Sequence, residues 1–148
     1  MAVTKPSANI SLKITRTLHH SREKVFDAWV DPKALTRWFA PSDDYTVVVP
    51  TLEARVGGRY VVEMRRSDGH VSKAVGTYRA LDRPSKLVFT WGWEHEPGAG
   101  ETLVTVELIE RGRTTELVLT HERFPTEESR EQHNQGWTGC LNRLEAAL

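Results

Sequence analysis

The residues best suited to chemistry are two histidines and a set of aromatic side chains. His121 falls at an inward position of the last strand-like segment, and His133 lies one helical turn before Trp137. A neutral imidazole offers one donor and one acceptor, and its charge changes near neutral pH. Facing a common space, the pair would serve as hydrogen-bonding or proton-transfer groups, and His121 is the candidate for catalysis. The plainer reading, which we favour on sequence, makes His121 a satisfied structural residue and His133 a surface one. The second set is Tyr60, Met64, Tyr78, Phe89, Trp91, Trp93, Phe124 and Trp137. Rings with polar tips suit a planar or amphipathic ligand, and a methionine adapts to its shape. The same side chains can instead fill a core and leave no void.

Arg16 is a third candidate, on the same strand face as Ile14. Buried, it would need a carboxylate such as Asp27 or Glu122, making a structural ion pair. Its functional alternative is an anchor for a ligand carboxylate. Glu53 and Glu63 read as outward and solvated. Several chemistries lack their motifs: there is no G-x-S-x-G elbow and no phosphate-binding loop. Gly57-Gly58 is not followed by a helix, so it is no dinucleotide fingerprint. His19-His20 lacks metal-ligand spacing, Glu94-His95-Glu96 reads as a solvated loop, and one cysteine cannot build a structural zinc site. Cys140 reads as an inert helix-face residue. The sequence therefore predicts neither a metal nor a cofactor.

These residues need elements to position them. Ile10, Leu12 and Ile14 alternate with polar residues as a first strand. Ser21 caps a short helix to Val30, and Asp31-Pro32 opens a second that Pro41 stops. From Asp44 the period becomes two. Tyr45, Val47 and Val49 mark one strand, and Tyr60, Val62 and Met64 the next, after a turn or bulge at Gly57-Gly58. Asp68-Gly69 is a hairpin signal, and a strand runs from about Val71 to Leu81 with Gly76 and Tyr78 inward. Leu87, Phe89, Trp91 and Trp93 share a side of the following strand. Pro97-Gly98-Ala99-Gly100 is a loop, and Val104 to Leu108 and Leu117 to His121 mark the last two strands. Six successive strands with short turns imply an antiparallel meander.

One amphipathic helix, Thr126–Leu148, closes the chain. Trp137, Leu141, Leu144 and Leu148 follow at helical spacing, but Glu127 to Gln135 contains no large apolar residue. Its front half must be wet or face a partly polar space. Gly136 costs about 1 kcal/mol in a helix interior relative to Ala. That cost suggests a close approach to another element, or packing relief for Trp137.

The chain has 148 residues, zero formal net charge and 39% apolar residues. That length fits one domain. The charge balance argues against generic nucleic-acid binding. Residues 1–9 are polar, read as a flexible tail and lack the apolar stretch of a signal peptide, and no apolar run approaches a membrane span. With a single cysteine, the expected location is a reducing cytoplasm.

A resemblance then appears in an ordered set of segments. They are Thr15-Arg16, Val25-Phe26-Asp27-Ala28-Trp29, Asp31-Pro32, and Leu35 with Trp38-Phe39-Ala40-Pro41. Val56-Gly57-Gly58-Arg59-Tyr60, Gly76-Thr77-Tyr78 and Leu87-Val88-Phe89-Thr90-Trp91 follow. Thr114-Thr115-Glu116-Leu117, Thr120-His121 and Gly136-Trp137 ahead of Leu141 and Leu144 complete it. From about Ile10 to Leu148 the chain resembles the SRPBCC (START/Bet v 1-like) superfamily. Within it, the resemblance is to the domain named after the activator of heat-shock protein 90 ATPase homologues, AHSA1-like. The resemblance implies an α+β helix-grip fold over 10–148: a seven-stranded curved antiparallel sheet around a long C-terminal helix, with two short helices between the first two strands. It also implies a hydrophobic cavity between sheet and helix.

The resulting expectation is a binding protein for a hydrophobic or amphipathic small molecule (a lipid, a polyketide-like compound or another aromatic). A cyclase or dehydratase acting in the same cavity is the enzymatic alternative. A chaperone-ATPase-modulating module, with a stress-response role, rests on the resemblance alone, which makes a chaperone the weakest partner. A homodimer stays open.

Overall fold

In the computed structural model, residues 10–96 and 101–148 are described. The expected tail over 1–9 and the Pro97-Gly98-Ala99-Gly100 loop lie outside them. The elements in order are β1 (Ser11–Leu18), α1 (Arg22–Val30), α2 (Pro32–Trp38), β2 (Tyr45–Leu52) and β3 (Arg59–Arg66). Then come β4 (Val71–Asp82), β5 (Lys86–Trp93), β6 (Thr102–Arg111), β7 (Thr114–Glu122) and α3 (Glu127–Ala147). All seven strands form one antiparallel sheet in the order β1-β7-β6-β5-β4-β3-β2. Six strands meander, and β1 lies against the last of them, with Leu12 opposite His121. This is the helix-grip arrangement that the resemblance implied.

The short helices are fixed by their caps. Ser21 Oγ accepts the Lys24 amide at 3.2 Å, and Asp31 accepts the Lys33 amide at 3.0 Å, just before Pro32. Asp31 thus ends α1 and starts α2, which sets a sharp corner. Trp38 ties the corner by donating its indole N–H to the Ala28 carbonyl at 3.0 Å. On the strands, the even residues Tyr60, Val62 and Met64 are buried, as are Ala74 and Tyr78, and then Leu87, Phe89 and Trp91. The inner face therefore follows the period of two.

In α3, Thr126 caps the first turn by accepting the Ser129 amide at 3.0 Å. Trp137, Cys140, Leu141 and Leu144 are its buried residues. The close approach expected at Gly136 occurs at Gly139 instead: a side chain there would collide with the Pro41 carbonyl, while nothing lies within 4 Å of a Cβ built on Gly136. Two further expectations need correction. Arg16 meets neither Asp27 nor Glu122. It donates to Asn142 Oδ1 at 2.6 Å, and Asp27 is held by Arg83 through two hydrogen bonds of 2.8 and 3.0 Å. Arg16 lies on β1, which packs against α3, and the partner it meets on that helix is the Asn142 amide. Glu63 keeps its outward register but is not solvated; Arg65 and Lys73 cover it, leaving 8% exposed. Glu53 accepts the Arg59 amide at 2.9 Å and keeps a solvent-facing carboxylate.

Candidate functional site

A cavity of about 300 Å³ opens between the front half of α3, the link after α2, and the β2–β5 side of the sheet. Its apolar walls are Phe39, Met64, Trp91, Trp93 and Trp137. Tyr45, Ser72, Glu96, Gln132 and His133 give it a polar edge. Gly136 lies on its helix wall and fills none of the space. The volume sits at the small end of the range for ligand pockets.

The hydrogen bonds around the two histidines decide what they can do. An indole nitrogen can only donate. Trp91 and Trp93 both point their N–H groups at His133 Nε2, each at 3.3 Å, so that nitrogen is an acceptor. The ring's one remaining proton sits on Nδ1, which donates to the Ser129 carbonyl at 2.7 Å. Deeper in, Trp137 donates to His121 Nδ1 at 3.0 Å. The His121 Nε2–H therefore donates to Thr102 Oγ1 at 2.6 Å, and the Thr102 hydroxyl in turn donates to the Trp91 carbonyl at 3.1 Å. Both rings are neutral and fully used. Burial pushes His121 well below the usual histidine value, with His133 nearby adding to the effect. Burial lowers His133 as well, opposed by its bond to Ser129. Neither ring has a free nitrogen to take a substrate proton.

The ten expected site residues divide into three groups. Met64, Trp91, Trp93, His133 and Trp137 surround the 300 Å³ cavity. Tyr60, Tyr78 and Phe89 sit further in, around a slot of about 20 Å³ beneath α2. Gly76 explains Tyr60: with no Cβ on the facing residue, the ring lies across β4 and donates its hydroxyl to the Thr90 carbonyl at 2.6 Å. Burial raises both tyrosine pKa values, so both are neutral phenols. His121 and Phe124 are fully buried behind the cavity, their rings 4.3 Å apart, and line neither space. The candidate catalytic histidine is thus a satisfied structural residue, and the pair His121 and His133 does not face one chamber.

Some cavity residues were absent from the expected set. Ser72 stands opposite Met64 in register. Tyr45 shares the parity of Val47. Gln132, Gly136 and Cys140 recur every four residues on α3, and His133 with Trp137 repeats that step. This helix stripe was legible as spacing, but its first members are polar or lack a side chain, so a search for apolar residues passes over them. Cys140 is a buried thiol whose pKa burial pushes up to about 12. It carries no thiolate reactivity at neutral pH. Among the described residues no cluster of three or more His, Cys, Asp or Glu has the geometry for a metal ion, and no helix is long and apolar enough to cross a membrane.

A second groove, of about 240 Å³, adjoins the cavity at the start of α3 and shares Trp91, Trp93 and His133 with it. The aromatic cluster beneath is dense: Trp137 lies 5.2 Å from Trp91, 5.7 Å from Phe39 and 6.0 Å from Trp29, ring centre to ring centre. Trp29 is the exception to its good order, because its indole N–H is buried without an acceptor. Such a group costs about 1–3 kcal/mol.

The sequence pattern of the family described as "Activator of Hsp90 ATPase homolog 1-like protein" matches residues 19–148. Among solved structures, a protein from Chromobacterium violaceum is similar, at 26% identity and a TM-score of 0.84, over 92% of this chain and 94% of that one. An AHSA1 protein from Silicibacter pomeroyi matches at 26% identity and a TM-score of 0.80, covering 93% and 96%. A protein from Arthrobacter aurescens, 24% identical with a TM-score of 0.83, covers 99% and 90% and shares the fold. Among curated proteins none matches.

Proposed function

The chain belongs to the activator of Hsp90 ATPase homolog 1-like family, and we propose that it binds small, flat, neutral molecules of aromatic or polyketide-like character. The observation that carries this reading is the open cavity of about 300 Å³ with three tryptophans in its walls. Indole faces reward stacking and apolar burial, at about 25 cal/mol per Å² of apolar surface removed from water. The small volume favours a compact ring system over a long-chain lipid. His121 and His133 have both ring nitrogens committed to protein partners, and the other ionisable groups on the cavity's edge, His95 and Glu96, lie 3.2 Å from each other, which favours binding over turnover.

A titration of tryptophan fluorescence with flavonoids and polyketide-like aromatics tests the reading, alongside the variant Gly136→Leu. The added side chain meets no atom of the protein within 4 Å of its Cβ and projects into the cavity. Leucine is also a better helix former than glycine by almost 1 kcal/mol. The expected result is quenching in the native protein and its loss in a variant that is at least as stable. Equal quenching in both would defeat the proposal.

A further inference from the structure

The fixed charges around the cavity and its adjoining groove have one sign. Among the described residues that line either space, Glu96 and Glu128 are acids, and none is a lysine or an arginine. Glu96 lines both spaces, with His95 3.2 Å from its carboxylate. The cations at neighbouring strand positions are engaged elsewhere. Arg66, opposite Tyr45 in register, donates to Asp68 at 2.7 and 3.0 Å. Lys73, next to Ser72, lies 3.7 Å from both Glu63 and Glu94. An anion would find no donor on Trp91 or Trp93 either, because both have given their N–H groups to His133.

What the walls offer a cation is rings: Phe39, Tyr45, Trp91, Trp93 and Trp137. Trp93 stands at 81° to Trp91, and Trp91 at 50° to Trp137, with centres 5.4 and 5.2 Å apart, so the rings are inclined in different directions. A ring face attracts a cation within about 6 Å of its centre, and indole does so best. An ammonium that keeps N–H bonds needs acceptors, and the nitrogens of His133 are already taken. A fully alkylated ammonium has no N–H to satisfy and needs only ring faces and a counter-charge. We propose that the cavity binds a fully alkylated ammonium group against its indole walls, with Glu96 as the carboxylate that balances it. The inference goes beyond the neutral aromatics proposed above and uses the same cavity.

The test uses choline and 3,3-dimethylbutan-1-ol, which share a shape and differ in a charged nitrogen against a neutral carbon. Affinities are read from the indole N–H signals in nitrogen-edited NMR, for the native protein, Trp93→Leu and Glu96→Gln. Choline is expected to move Trp91 and Trp93 and to bind the native protein about tenfold more tightly than the alcohol. Trp93→Leu is expected to remove most of that preference. Glu96→Gln, at an exposed position, is expected to weaken choline about threefold and leave the alcohol unchanged. If Trp93→Leu does not fold, the native ratio and Glu96→Gln decide. Equal affinities for the two probes in the native protein, or no response to choline, would overturn the ammonium site. A flavonoid titration run alongside separates the two readings. Quenching by the flavonoid without a preference for choline would overturn the ammonium site and leave the aromatic reading standing. A preference for choline without quenching would support the ammonium site and overturn the aromatic reading.

Discussion

The two halves of α3 share one helix and meet different surroundings. From Trp137 onward the helix buries Cys140, Leu141 and Leu144, and Gly139 presses against the Pro41 backbone. From Glu127 to Gly136 it buries nothing fully, and the space beside it is the cavity. The rear half is therefore structural cement, and the front half is a roof edge set by it. The same contrast divides the histidines. His121 lies in the packed interior with all its partners inside the protein, while His133 caps two indoles at the mouth, where water is near. A fold that must stay intact while leaving room for a guest gains from this division, because changes at the mouth need not reach the core.

The division breaks first under core truncation. Leu144 is 0% exposed, so Leu144→Ala is expected to cost about 2–5 kcal/mol in chemical denaturation. Gln132→Ala, on the cavity's edge, is expected to stay within about 0.5 kcal/mol. Similar losses at the two positions would show that the front half is structural too. Next come the histidines. His121→Leu strands the Trp137 N–H and leaves Thr102 without its donor, at an expected cost of about 1–3 kcal/mol. His133→Leu frees two indole donors that water can reach, so it is expected to cost less and to alter binding more.

Acid probes both histidines at once. Burial lowers their pKa values in the folded protein, whereas the unfolded chain titrates near 6.5. Above that pH both states are neutral and the contribution is complete. As pH falls below about 6.5 the unfolded state takes up protons that the fold refuses, so stability falls. The slope is at most about 1.4 kcal/mol per pH unit for each ring. Urea midpoints between pH 7.5 and 5 measure it, and His121→Leu is expected to flatten the slope. A native midpoint unchanged over that range would mean that neither ring is held neutral by the fold.

How far the sequence could carry this picture follows from what periodicity encodes. Alternation at Tyr60, Val62 and Met64 places their side chains on the inner face, and that is where they are. It does not say how far along the face each one lies relative to the crossing helix. Met64 therefore reaches the cavity while Tyr60, four residues earlier, lies over Gly76 in the packed end. Helical spacing locates Trp137 and Leu144, but Gln132 and Gly136 matter by leaving room, and an empty volume has no residue type. The histidines illustrate a further limit. Their inward placement was legible in part, yet their chemistry was set by which indole nitrogens point at them, a matter of side-chain rotation in three dimensions.

The smallest expected effect gives the finest cut between the halves. Gly136 and Gly139 are one turn apart on α3, and on helix propensity alone each would gain about 1 kcal/mol from alanine. At Gly139 the new methyl would collide with the Pro41 carbonyl, a backbone atom that cannot swing aside, so Gly139→Ala is expected to destabilise. At Gly136 the methyl meets open space, so Gly136→Ala is expected to raise the melting temperature by the propensity gain. It also narrows the cavity by one methyl group, which should weaken the binding of a tightly fitting aromatic while the fold improves. Stability and binding moving in opposite directions on a single methyl is the signature of a wall that exists to leave room. A Gly136→Ala protein that binds and melts like the native one would instead mean that the guest never touches this stretch of the helix.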